Sequence, residues 1–385
     1  MHRAPVICHN GVPMNTIDDF VSGFDEEPGY LNFAAVGPVG QVVVEEEQAQ
    51  IELLRRARFG SLDSLDQQDE RVREAVSAVT GFRADQVSFQ PNTSTGLMHA
   101  MFGITGGVIL SQAEFPSMTY AAVRAAESLG VLNPLWLETD YGKVTPASIR
   151  EQLDSAVTAV AVSLVDFRTG YLADIDGIRQ VIGDRLLIVD AIQGFGVVDA
   201  PYQVADVVVS GGQKWARAGW DTGFMALSDR AADMLTPVAS GWMAGDEFPL
   251  DEVLPIQRGA AAFRISNPSP IAQARFAAAL EDIASVGVSE IGASVVQKAG
   301  RMIDLADEFG IPVTSSRAEN ERAGIVVLEP APDQLTVLTA SLFNHGVSVT
   351  TREGSVRLSA HATTTDETFD MLKASFMSYA SAINV

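Results

Sequence analysis

Seven short apolar runs punctuate the first two-thirds of the chain, at 87–89, 108–110, 131–132, 159–165, 186–189, 207–209 and 223–227. They are rich in β-branched residues and end in small or polar ones, which marks buried strands. Helical spacing fills most of the gaps, as over 118–129 and 146–153, and the stretch 39–80 also reads as helical. Strands alternating with helices predict an α/β domain with a largely parallel seven-stranded sheet covered on both faces. After about residue 245 the pattern changes. A proline-containing connector leads to Ala-rich helical stretches at 271–285 and 293–309, then to strand-like runs at 324–328, 347–349 and 356–358. The expected organisation is an N-terminal arm or short helix over 1–28, a large domain over 29–245 and a smaller α+β domain over 246–385.

Two strand ends carry chemistry. The run 186–189 ends in Asp190-Ala191-Ile192-Gln193, and the run 207–209 ends in Ser210-Gly211-Gly212-Gln213-Lys214-Trp215. In open α/β sheets, ligands sit at the carboxyl ends of strands. A carboxylate and a lysine at such ends suit a cofactor that needs an imine bond and a charge partner, namely pyridoxal 5'-phosphate (PLP). The stretch Thr93-Ser94-Thr95-Gly96 follows one strand-like run and opens a helical segment, which places hydroxyls and backbone N–H groups at a ready anion site. Gly194-Phe195-Gly196 lacks the third glycine of a dinucleotide loop, because Asp199 stands there, and is weak evidence for NAD.

Composition narrows the partners. The 49 acidic residues outnumber the 26 basic ones for a formal net charge of −23, which argues against nucleic acid or an anionic membrane. One cysteine, Cys8, allows no intramolecular disulfide. No apolar segment is long enough to span a bilayer, and the N-terminus has no cleavage-like signal. A cytoplasmic protein is expected. The histidines are scattered, without the spacing of a helical zinc site, so a metal is not expected.

Four stretches, in order and spacing, resemble the class V aminotransferase family of fold type I PLP enzymes: PNTSTG (91–96), AEFPSMTYA (113–121), VDAIQG (189–194) and SGGQKW (210–215). The stretches FRISNPSPI (263–271), FRTGYLADI (167–175) and KWARAG (214–219) are similar to kynureninases within that family. Gln193 departs from that subfamily, which usually has histidine there, and matches cysteine desulfurases. The desulfurase reading is disfavoured because the C-terminal third has no cysteine.

The resemblance implies a role for each position. Lys214 would join the cofactor aldehyde and later take the substrate Cα proton. Asp190 would pair with the pyridine nitrogen, Gln193 would donate to the phenolic oxygen, and Phe115 would stack on the ring. Ser94, Thr95, Thr93, Ser210 and Gln213 would hold the phosphate. Trp242 and Asn267 would reach in from the second subunit of a homodimer. Arg357 is the best candidate for the substrate carboxylate, because a guanidinium between apolar neighbours is costly unless paired. Arg352 is a weaker one, and Asp166 and Arg168 are candidates for the site floor. The implied activity is transformation of a small α-amino acid, as a transaminase or a kynureninase-like β-lyase. A catalytically idle PLP-binding protein is the alternative.

Overall fold

The computed structural model describes residues 15–248, 250–352 and 354–383. Cys8, His2, His9 and the first half of the expected arm lie outside the described residues; within the second half, Ile17–Ser22 is a short helix.

The apolar runs become β1 (Val87–Phe89), β2 (Gly106–Ser111), β3 (Leu132–Leu137), β4 (Val157–Ser163), β5 (Leu186–Asp190), β6 (Val207–Gly211) and β7 (Gly223–Leu227). They form one sheet in the order β1-β7-β6-β5-β4-β2-β3. The pairs β2–β3, β2–β4, β4–β5 and β5–β6 are parallel, and β7 is antiparallel to both neighbours. This is the α/β architecture that the alternating pattern predicts. β3 is longer than its apolar signal, because Asn133 and Pro134 interrupt it; proline is tolerated there because β3 is a sheet edge.

Side-chain alternation sorts the sheet into two cores. Val207 and Val209 pack with Leu97, Ala100 and Met101 on one face. Val208 and Ala226 pack with Phe276 and Leu280 on the other. The second face is covered by the helix Pro270–Val286, which lies against the helices Gln41–Arg56 and Gln68–Thr80. The sequence pattern places that helix in the smaller domain, yet its apolar side is buried on the large sheet.

A second, antiparallel sheet has the order β8-β10-β9, with β8 at Ile325–Leu328, β9 at Thr350–Arg352 and β10 at Ser355–Ser359. The strand expected at 347–349 is displaced. Val347 turns into the third core, Ser348 bridges Tyr30, and pairing begins at the polar Thr350, where no apolar signal exists. Tyr30 and Asn32 bridge Ser348 and Ser359, and Leu31 is buried in the third core. The segment after the arm is therefore built into the C-terminal sheet. Among the described residues, no helix is long and apolar enough to cross a membrane.

Candidate active site

The chain passes from the edge strand β3 back across β2 to reach β4. The strand order reverses at that point, and ligands bind outside the carboxyl ends of strands at such a reversal. β5, on the far side of β4 from that reversal, ends along the same edge in Asp190, which is 1% exposed. Its Oδ1 accepts from Ile192 N at 3.0 Å, whereas Oδ2 is buried and has no partner. Burial pushes the Asp190 carboxyl up to about 6, against the pull of Lys214.

Lys214 follows β6 by three residues. Its turn is braced from the N-terminal segment, where Gly37 N donates to Gln213 O at 2.9 Å. A Cβ on Gly37 would stand 2.0 Å from Lys214 O, so only glycine permits this approach. Burial lowers the Lys214 ammonium to about 8; Asp190 opposes the shift, and Arg357 and Arg352 add to it. The Nζ lies 5.4 Å from the centroid of the Phe115 ring, which meets Phe167 edge-on at 5.1 Å.

Arg357 belongs to β10. Its neighbours Val356 and Leu358 fill the third core, so the guanidinium leaves the opposite face. Nη1 donates to Phe167 O at 2.9 Å, Nη2 reaches Thr350 Oγ1 at 3.4 Å, and Nε has no partner. Burial holds this 3%-exposed group down at about 10.

Two helix N-termini lie beside the Lys214 turn. Two helices, Thr93–Gly103 and Pro116–Leu129, start side by side and are tied by Ser94 Oγ and Ser117 Oγ at 2.7 Å. The first packs tightly on β6 because Gly96 has no Cβ to meet Val209. Its cap is Asn92, whose Oδ1 accepts from Thr95 N and Thr95 Oγ1. Thr93 Oγ1 is buried without a partner, and it and Gln213 Oε1 crowd the space beside Gly211.

Other expected residues sit differently. Ser210 points away from these helix starts: Val209 faces the helix Thr93–Gly103, so Ser210 faces the other side of the sheet, and its hydroxyl donates to Gly211 O at 3.1 Å. The Gln193 amide is largely engaged. Its Oε1 accepts from Trp215 Nε1 at 2.9 Å and its Nε2 donates to Ala34 O at 3.0 Å, leaving one amide hydrogen. Trp242 and Asn267 are exposed on the surface, with Trp242 against Phe248. Asp166 accepts from the backbone N–H groups of Arg168 and Thr169 and, among the described residues, has no ion-pair partner.

Sequence reasoning missed Glu114. It is buried, accepts from Ser163 N at 3.2 Å and Ser163 Oγ at 2.5 Å, and burial pushes it up to about 7. Ser163 is the register partner of Asp190, so Glu114 lies beside the end of β5. Its position directly before Phe115, after a buried strand, was the available signal.

A mostly parallel α/β sheet with a buried aspartate and lysine at the carboxyl ends of the adjacent strands β5 and β6 defines a cofactor-dependent enzyme architecture. The chain belongs to the aminotransferase class-V family, whose model matches residues 30–385. No match is found among curated proteins. Among solved structures, the cysteine desulfurase from Thermococcus onnurineus NA1 is 19% identical, with 92% of this chain and 94% of that chain covered and a TM-score of 0.80. The cystine C-S lyase C-DES, in complex with its product cysteine persulfide, is 17% identical over 91% and 97% of the two chains, with a TM-score of 0.82. A lysine-to-alanine mutant of C-DES carries glycine covalently linked to its PLP cofactor. The Escherichia coli cysteine desulfurase CsdA is 16% identical over 96% and 98%, at a TM-score of 0.77. At these identities the likeness shows the shared fold. The cysteine desulfurases among these neighbours are the enzymes that the missing C-terminal cysteine disfavours, the C-S lyase agrees with the lyase expectation, and none of these structures is a kynureninase.

Proposed function

We propose that the protein binds PLP through Lys214 and transforms an α-amino acid. The observation that carries this reading is Asp190 Oδ2: a buried carboxylate oxygen without a partner, at a strand end beside a buried lysine. A buried acid left unpaired is costly, and the N–H of a pyridinium ring removes that cost. When bound, PLP supplies an electron sink for the bond broken at the substrate Cα.

This chain's residues do the remainder. Lys214, lowered to about 8 by burial, has about a tenth of its amine neutral near pH 7, enough to attack an aldehyde and accept a proton. Phe115 covers one side of the space above Nζ. Thr93, Ser94, Thr95 and Gln213, with the N-terminus of the helix Thr93–Gly103, receive the phosphate; Ser210 contributes only through the strand. The remaining amide hydrogen of Gln193 serves the ring oxygen. Arg357 takes the substrate α-carboxylate in a bidentate fork. The exposed Trp242, Phe248 and Ile265 support a homodimer that covers them and brings Asn267 toward the other subunit's site. The reaction is a transamination or a cleavage at Cβ, and the lyase among the neighbours gives the second equal standing.

The test is reconstitution. Purified protein mixed with PLP should gain a visible band, and borohydride should fix the cofactor on the Lys214 peptide, as read by mass spectrometry. Adding amino acids should shift the band, and a product screen for ammonia, keto acid and released side chain then assigns the reaction. Fixation on another lysine, or normal PLP affinity in Asp190→Asn, would overturn the reading. Light scattering that finds an active monomer would remove the dimer.

A further inference from the structure

The carboxyl edge of the sheet brings several basic groups together beside the acids Asp190, Glu114 and Asp166. Beyond Lys214 and Arg357 it gathers Arg352 and Arg168. Among the described residues, none of these arginines has a carboxylate within ion-pair distance. The nearby Asp166 accepts from the backbone N–H groups of Arg168 and Thr169 through Oδ1 and attracts Arg168 and Arg352 from beyond ion-pair distance.

The hairpin β9–β10 sets the geometry. Arg357 pairs in register with Thr350, and Arg352 pairs with Ser355. Residues 355 and 357 share one face, as do 350 and 352, so both guanidinium groups leave the same face from diagonal positions. Such positions lie roughly 7–8 Å apart between Cα atoms, and like charges on neighbouring positions of one face repel. Arg352 does not swing away. Its guanidinium lies 4.7 Å from the centroid of the Phe167 ring, the ring that meets Phe115 above Lys214. Phe167 thus holds both arginines, Arg357 through its carbonyl and Arg352 through its face.

Building on the proposed function, we propose that Arg352 is a specificity-determining residue that takes a second anionic group, so that the substrate is an amino acid with a short acidic side chain. The shared chemistry is a carboxylate or a sulfur oxyacid one or two bonds beyond Cβ. Arg357 takes the α-carboxylate, and Arg352 waits at the diagonal position for the second anion. Solvated surface arginines are common, but two on one face, one stacked and both without a carboxylate, form a fork for a diacid.

The test separates this proposal from the functional reading. Calorimetry compares succinate with propionate, neither of which has an amine, on the protein with and without PLP. Succinate should bind about 10- to 100-fold more tightly, the range of one charge-assisted contact. Arg352→Gln should erase most of that preference, leave propionate and the visible PLP band unchanged, and be partly rescued by Arg352→Lys. With PLP present, aspartate and cysteine sulfinate should exceed alanine in kcat/KM, and the better of the two identifies the anion. Equal affinities for the two acids, or an Arg352→Gln variant that loses both alike, would overturn the proposal. A succinate preference without any PLP band would instead sink the functional reading and leave the anion site standing.

Discussion

The two ends of the β5–β6 pair carry buried aspartates with opposite surroundings. At the amino end, Asp206 accepts from Arg179 at 2.8 Å, Arg230 at 2.6 Å, Ser228 Oγ at 3.1 Å and Leu187 N at 2.8 Å. At the carboxyl end, Asp190 has one backbone donor and one bare oxygen. The arginines on either side of the Lys214 turn repeat the contrast. Arg217 has Glu26, Thr363, the Pro38 carbonyl and the face of Phe24 at 3.6 Å, whereas Arg357 has a carbonyl and a long hydroxyl contact. Saturated buried charges hold the fold together. Unsaturated ones are tolerated where a ligand completes them.

The contrast breaks first on stability. Asp206→Ala leaves Arg179 and Arg230 facing each other and should cost about 3–5 kcal/mol in urea unfolding, as should Arg217→Met with Glu26 abandoned. Neither should change PLP affinity per folded molecule. A loss below about 1 kcal/mol in both would dissolve the distinction.

Asp190→Asn should go the other way. Its folded value of about 6 is above the unfolded value of 3.8. Stability from such a group is present below the unfolded value and is lost as pH rises through the folded one. Removing the charge should therefore stabilise the PLP-free protein at pH 7 by about 2–3 kcal/mol, with the gain fading below about pH 4. PLP should bind the variant more weakly. Thermal melts across pH, with and without PLP, read both signs. A destabilised PLP-free variant would place Asp190 with Asp206.

Arg357→Lys tests the fork at a smaller scale. It keeps the charge and loses the planar donors, so KM for the preferred amino acid should rise about ten-fold with little change in the melting temperature. A large drop in melting temperature would make Arg357 a structural residue.

The sheet and the lysine turn were legible because both rest on local signals: β-branched runs, small residues at strand ends, and an acid and an amine closing adjacent strands. Three things were not legible. β9 has no apolar residue, so its register is fixed only by β10 and by Tyr30 and Asn32 reaching across the chain. Ser210 shared a motif with Lys214, but strand alternation sends it to the other face. Glu114 gave no periodic signal, since its role depends on Ser163 being the register partner of Asp190. Pattern gives the elements, while the filling of each polar group depends on pairings between distant segments.

The subtlest consequence lies in the Lys214 amine. Burial lowers it to about 8, Asp190 pulls it upward, and Arg357 and Arg352 push it downward. Labelling of Lys214 by a small neutral aldehyde with borohydride needs the free amine, so its rate should climb with pH and level off above about 8. Asp190→Asn removes an anion and should move the midpoint lower. Arg357→Met removes a cation and should move it higher, by a fraction of a pH unit. Arg217→Met combined with Glu26→Gln deletes a buried arginine two residues from Trp215 together with its matching charge, so the midpoint should stay in place. Opposite shifts at positions 190 and 357 with none in the double variant would show that the unsaturated charges act on the amine and the saturated ones do not. A shift in the double variant equal to that at 357 would mean that proximity alone sets the amine, and that the pairing of each charge is irrelevant to it.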